Sequence, residues 1–275
     1  MKYATIRTID GTRAVCETDA RFQGLGASDV GDLLCTNETG VLPTSGDEVG
    51  IGSEPEFAPL VIHPRKMLCV GHNYFAHINE MGREVPRFPT IFAKYASALV
   101  GARDDIRLPE DSSSMDWEAE LAVVVGKRIR AVDEDEAIDA IAGFTVVNDI
   151  SARDWQSRTS QWLQGKNFDG TTPIGPYLVT PDEVDHAADL EVRCSVNGKT
   201  VQRARTSDLI FGPATVLAYV SRIMTLEAGD VIALGTPGGV GAGHHPPVFL
   251  RSGDVVETTI EGVGTLVNRC VSARV

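Results

Sequence analysis

The chain carries no close pair of cysteines: Cys16, Cys35, Cys69, Cys194 and Cys270 are scattered over 275 residues. That spacing is neither a zinc pattern nor a disulfide framework, and it suits a reducing cytosol. No apolar run approaches the ~20 residues that span a bilayer, and Met1-Lys2-Tyr3-Ala4-Thr5-Ile6-Arg7 has no signal-peptide core, so a cytoplasmic location and no membrane partner are expected. Positive charge is short: 25 Lys and Arg face 38 Asp and Glu, a formal net charge of −13. A nucleic-acid partner is therefore not expected, and an anionic substrate needs local cations. Low-complexity segments and long repeats are also missing, and Gly235-Thr236-Pro237-Gly238-Gly239-Val240-Gly241 lacks the Gly-Lys-Ser/Thr ending of a phosphate loop.

Strand signals dominate what remains. Residues 1 to about 60 read as a small β-rich unit with turns at Asp10-Gly11 and Ser45-Gly46-Asp47 and a short helix near Ser28 to Leu34. Gly52 to Pro59 reads as a linker, and residues 61–275 form the main domain. Lys66 to Val70 looks like a buried strand, with Gly71-His72-Asn73-Tyr74 turning into a helix. A helix from about Asp133 to Ala142 has a capping box (Asp133, Glu136), an apolar face of Ala137, Ile138 and Ile141, and a stop at Gly143. A second helix starts at Pro213, striped by Val216, Leu217, Val220 and Ile223. Gly229-Asp230 and Gly253-Asp254 each open a strand, and no βαβ alternation is present. The expected fold class is mixed, mainly β and largely antiparallel, with few helices.

The richest stretch is Met115-Asp116-Trp117-Glu118-Ala119-Glu120 followed by Leu121-Ala122-Val123-Val124-Val125. A strand's period of two places Asp116, Glu118 and Glu120 on one face. Either a hard divalent cation such as Mg²⁺, Mn²⁺ or Ca²⁺ gathers these oxygens, or they sit in water on an edge strand. Asp149, at the end of a strand-like run, completes such a metal site or caps the next segment. His77 and Glu80, three apart on a helix, make a water-activating pair or an ordinary polar face. Arg153 is suited to a substrate carboxylate and Lys166 to an enolate or oxyanion, and both also suit surface ion pairs. Thr236 offers a hydrogen bond from a tight loop, and His244-His245 reads as loop.

In order along the chain, Gly71-His72-Asn73-Tyr74 with His77 and Glu80, Phe92-Ala93-Lys94, Asp116-Trp117-Glu118-Ala119-Glu120-Leu121, Asn148 to Gln156, Gly165-Lys166-Asn167-Phe168-Asp169, Gly175-Pro176 and Gly229 to Gly241 resemble the fumarylacetoacetate hydrolase family over roughly residues 64–272. The resemblance implies a β-sandwich roll, usually in a homodimer, with Mg²⁺ or Mn²⁺ (Ca²⁺ in crystals) on Glu118, Glu120 and Asp149. It implies a catalytic set of His77, Glu80 and Lys166, with Arg153, Gln156, Thr236, Asn73 and Tyr74 toward the substrate. It also implies that residues from about Ile78 to Pro89 close over the ligand. Cys69-Val70-Gly71 stands where larger members carry a fourth carboxylate, which places the chain nearer the short acylpyruvate-hydrolase branch, and His72 stands where many relatives carry another residue. The implied activity is carbon–carbon hydrolysis of a small 2,4-dioxo acid. Oxaloacetate decarboxylation and hydration or isomerisation of 2-oxo-enoic acids are the alternatives, and a non-catalytic oxo-acid binder is more distant.

Overall fold

The computed structural model describes residues 1–18, 21–37, 42–50, 55–80 and 84–273, with only the backbone described at His77, Asn79 and Glu80. The strands are β1 (Lys2–Thr8), β2 (Gly11–Thr18), β3 (Arg21–Gly24), β4 (Asp47–Glu48), β5 (Met67–Gly71), β6 (Thr90–Lys94), β7 (Leu99–Val100), β8 (Ile106–Leu108) and β9 (Met115–Asp116). They continue as β10 (Ala119–Val125), β11 (Ile141–Asn148), β12 (Ser151–Ala152), β13 (Thr172–Val179), β14 (Glu191–Val196), β15 (Lys199–Arg205), β16 (Val231–Ala233), β17 (Val255–Ile260) and β18 (Gly264–Ser272). Six helices accompany them among the described residues: α1 (Val30–Thr36), α2 (Phe75–Glu80), α3 (Glu134–Ile138), α4 (Arg153–Gln156), α5 (Leu163–Lys166) and α6 (Pro213–Ile223).

The expected mainly β class holds. One large sheet runs in the order β4-β3-β2-β1-β13-β11-β10-β16-β5-β6, with β7 beside β13, and a five-stranded sheet runs β15-β14-β17-β18-β8. Most described pairings are antiparallel; β16 with β5, β13 with β7 and β18 with β8 are parallel. The five-stranded sheet packs on β10, β11 and β13. Buried on both faces, β10 feeds two cores: Leu121, Val123 and Val125 point into one, Ala122 and Val124 into the other. That is why its sequence is a continuous apolar run rather than an alternating one.

Local signals explain several elements. Gly11 has φ of 124°, a region open to glycine, and closes the β1–β2 hairpin. Asp29 caps α1 through Asp32 N–H at 2.7 Å. The capping box of Asp133 and Glu136 is present.

Three expectations need correction. The helix after Asp133 ends at Ile138 rather than near Ala142, because Ile141 opens β11. Gly143 is therefore no stop signal: a Cβ there would collide with the Val179 carbonyl on β13, so glycine serves a close strand approach. Part of the expected linker is structured, since Phe57 bridges to Ile6 and both Phe57 and Ala58 are buried, while Gly52, Ser53 and Glu54 lie outside the described residues. The stripe on α6 is buried at Val216, Leu217 and Val220, but Ile223 is exposed.

Candidate active site

The β10–β11 register assembles the acidic group. Glu120 lies opposite Val147 and Ala119 opposite Asn148, and the Asp149 N–H donates to the Glu118 carbonyl at 2.9 Å. Glu118 and Asp149 are thus cross-strand neighbours at the point where both strands leave the sheet. The chain does not run as one strand through 115–120. β9 pairs with β12, and ladder pairing lapses at Trp117 and Glu118. Two side chains fill the lapse: Asn148 Oδ1 accepts the Glu118 N–H at 2.9 Å, and Gln202 Oε1, from the other sheet, accepts the Ala119 N–H at 3.0 Å.

Because the strand is broken, Asp116 does not share a face with Glu118 and Glu120 as its spacing suggested. It binds the N–H groups of Gly241 and Ala242 at 2.6 and 3.0 Å and Arg153 Nε at 2.8 Å. The group that converges is Glu118, Glu120 and Asp149, with ligand oxygens within 4.8 Å of one another. At 6 %, 1 % and 0 % exposure they are not a solvated edge. Asp149 caps no helix, lying between β11 and β12.

Cations brace this group. Lys166 Nζ donates to Glu118 at 2.7 Å and to Asp149 at 2.8 Å. Lys94 Nζ reaches Asp149 at 2.6 Å and also the Lys166 carbonyl. Burial works against a charged Lys166, but Asp149 and Glu118 outweigh it and hold the ammonium protonated. Burial likewise works against a charged Asp149, and Lys166 and Lys94 reverse it, keeping that carboxylate ionised. Glu120 differs. Among the described residues no salt bridge reaches it. It accepts the Gly235 N–H at 2.8 Å, and burial together with Asp149 and Glu118 pushes its carboxyl well up. A buried carboxyl crowded by two others, with no salt bridge of its own among the described residues, is what a divalent ion would relieve, and an oxygen-only donor set suits Mg²⁺, Mn²⁺ or Ca²⁺.

Glu118, Glu120 and Lys166 line a cavity of about 870 Å³, together with Val70, Gly71, Phe92, Trp162 and others, while Asp149 and Lys94 lie behind that lining. Arg153, Gln156, Lys166 and Thr236 all line it. Arg153 nevertheless already has protein partners: its Nη1 meets Glu118 at 2.6 Å and Gln156 Oε1 at 2.9 Å, besides the Nε contact to Asp116. Thr236 Oγ1 donates to the Ala119 carbonyl at 3.0 Å and accepts from Gln202 Nε2 at 2.9 Å. Asn73 and Tyr74 do not line the cavity. Asn73 is buried, its amide donating to the Phe211 and Leu234 carbonyls and accepting from the Phe211 N–H. Tyr74 is also fully buried. Asn73 thereby clasps the turn, whereas the buried Tyr74 hydroxyl has no hydrogen-bond partner among the described residues. The side chains of His77 and Glu80 lie outside the described residues, and so does part of the segment expected to close over the ligand, residues 81–83.

Sequence reasoning missed several residues. Lys94 lay within a motif but had no role assigned to it, and Gln202 and Trp162 carried no local signal. His244 and His245, read as plain loop, line the cavity. Gly71 leaves the space that the Trp162 ring fills, and Trp162 meets Phe92 and His72 edge-on at centroid distances of 5.4 and 5.2 Å.

Comparison with known proteins agrees with this arrangement. The family model described as Fumarylacetoacetate (FAA) hydrolase C-terminal matches residues 66–271, so the chain belongs to the fumarylacetoacetate hydrolase family, whose members are enzymes. The human protein named oxaloacetate tautomerase FAHD2A, mitochondrial, is 46% identical over 221 residues, covering 80% of this chain and 70% of its own. Among solved structures, a fumarylacetoacetate hydrolase from Exiguobacterium antarcticum is 35% identical with a TM-score of 0.89, covering 100% of both chains. A 5-carboxymethyl-2-hydroxymuconate delta-isomerase from Mycobacterium smegmatis is 33% identical with a TM-score of 0.84, covering 99% of this chain and 100% of its own.

Proposed function

We propose that the protein catalyses metal-dependent keto–enol proton transfer on a small 2-oxo acid of the oxaloacetate kind. The observation that carries this reading is the buried triad of Glu118, Glu120 and Asp149, two of whose members line a cavity, with no salt bridge reaching Glu120 among the described residues. The names of the relatives support it: tautomerases and an isomerase act through enols, which moves the weight from hydrolysis toward proton transfer. Mg²⁺ or Mn²⁺ on the triad would supply Lewis acidity to a bound 2-oxo group. Lys166 stays protonated and donates to one oxygen of Glu118 and one of Asp149, so the carboxylates are held in place. Arg153 holds the other oxygen of Glu118, fixed in turn by Asp116. Phe92, Trp162 and Val70 form an apolar wall that limits water around the reacting carbon. His77 is assigned the transferred proton, with Glu80 orienting it; α2 is helical across both positions, which puts them one turn apart.

A second reading keeps the same site for hydrolysis of a 2,4-dioxo acid. It is favoured by that His77–Glu80 spacing, since water activation needs a carboxylate-oriented imidazole. Both readings share a homodimer and a reducing compartment; all five cysteines are free, and no helix among the described residues is long and apolar enough to cross a membrane.

The test uses metal-stripped protein, with Mg²⁺ or Mn²⁺ added back, and follows the enol absorbance of oxaloacetate and acetylpyruvate alongside released acids. Metal-dependent equilibration of oxaloacetate without its consumption is expected. Glu118→Gln should lose metal binding and at least ~100-fold in rate. Acetate release from acetylpyruvate with no effect on oxaloacetate would move the assignment to hydrolysis, and no metal-dependent effect on either acid would sink both.

A further inference from the structure

The cations near the triad already have carboxylate partners. Lys166 contacts Glu118 and Asp149, and Arg153 contacts Asp116 and Glu118, each within 2.8 Å. An anionic group on the substrate lying away from the triad therefore needs other donors. The remaining titratable side chains among the described cavity residues are imidazoles: His72, His244 and His245. His72 packs its ring on Trp162, within the aromatic wall. His244 and His245 are exposed on the loop that follows the 3₁₀ turn Gly241–Gly243, and they share the cavity lining with Ser157, Thr159 and Ser160, which follow α4. The lining thus offers imidazole and hydroxyl donors besides the apolar Phe92 and Trp162.

The histidine loop is also tied to the triad. Asp116 binds the Gly241 and Ala242 N–H groups with the same carboxylate that holds Arg153 Nε. The His244 N–H in turn donates to the Gly241 carbonyl at 3.2 Å, and its ring meets Trp117 edge-on at 6.4 Å. One carboxylate thus sets the loop against the site, so donors on it stand in a defined relation to a bound acid. Nothing comparable would be needed to accommodate an apolar tail.

We propose that His244 and His245 receive the remote carboxylate of a 2-oxo dicarboxylic acid, so that these two side chains set the preference for such diacids over 2-oxo monoacids. This rests on the reading of the triad as a metal-assisted oxo-acid site. The test measures binding rather than turnover. Mn²⁺-loaded wild type and the double variant His244→Ala/His245→Ala are titrated calorimetrically with 2-oxoglutarate and with 2-oxopentanoate, which has a methyl in place of the remote carboxylate. Wild type should prefer the diacid. The double variant should lose about tenfold for the diacid and stay within about twofold for the monoacid, as expected for lost hydrogen bonds to a charged group. His245→Asn, which keeps an N–H donor, should recover part of the preference. An unchanged diacid-to-monoacid ratio in the double variant, with both acids still binding, overturns the remote subsite and leaves the triad reading standing. Wild type that binds Mn²⁺ but neither acid overturns both.

Discussion

Glu120 shows how one residue can be poorly placed for stability and well placed for chemistry. Burial beside Asp149 and Glu118 pushes the proton affinity of its carboxyl well up, against the opposing pull of Lys166 and of the Gly235 N–H that it accepts. A carboxyl raised on folding contributes stability at low pH that is lost as pH rises through its folded value. In EDTA, Glu120→Gln should therefore melt about 2–4 °C higher than wild type at pH 8, with the gap closing in acid. With Mn²⁺ the order should reverse, because only wild type gains from the ion. Melting curves across pH, with and without metal, check both directions. An equal metal-induced rise in the variant would remove Glu120 from the ligand set. Residue types alone raised a metal site at Asp116, Glu118 and Glu120, because carboxylates leading into an apolar run are costly to bury without a cation, and the family resemblance narrowed it to Glu118, Glu120 and Asp149. Asn73 and Tyr74 sat in an equally distinctive motif and turned inward, since adjacency in a motif carries no information about direction.

At the scale of elements, the site depends on a break in one strand. Were β10 to continue back to Met115, Asp116, Glu118 and Glu120 would form a row. Instead Asn148 and Gln202 take the two N–H groups that the ladder drops, and Asp116 swings to the Gly241 loop. Gln202 also donates to Thr236 and to the Pro237 carbonyl, so it ties three segments at the cavity wall. Gln202→Leu is expected to leave the fold intact and weaken metal binding about 10–100-fold, the range for losing a group that orients ligands. Metal titration of the purified variant measures this, and unchanged affinity would show that the break holds without it. Gly143 is the corresponding packing device between β11 and β13. Gly143→Ala should cost about 1–3 kcal/mol, read from denaturant unfolding, because the Val179 carbonyl occupies the space of the added methyl.

For the whole molecule, the large sheet crosses the boundary expected near residue 60: β1 pairs with β13, and Tyr3, Ala14, Cys16, Leu33 and Leu34 share a core with Ala122, Val124 and Val147. We therefore take residues 1–60 as a sequence unit that does not fold apart from 61–275. Residues 61–275 expressed alone would expose the β13 edge and one side of that core. Aggregation, or a melting point far below that of the full chain, is the expected result. A soluble, metal-binding fragment with a normal melting curve would instead establish two independent domains.

By itself the amino-acid sequence determined the β-rich class and the scarcity of cations, and its ordered motifs pointed to the family and to the acidic residues that converge. The first two follow from local composition and period, and the others from a resemblance of short motifs in order, all of which a linear chain displays. It misread the end of the helix after Asp133, because Gly143 looks the same as a stop signal and as a contact between strands. Only the tertiary structure decided that Asp116 leaves the acidic row, that Lys94 and Lys166 both meet Asp149, that Gln202 crosses from the second sheet, and that His244 and His245 face the cavity. Each of these joins segments far apart in the chain, and the partner of a buried polar group is set by which strands the fold brings together.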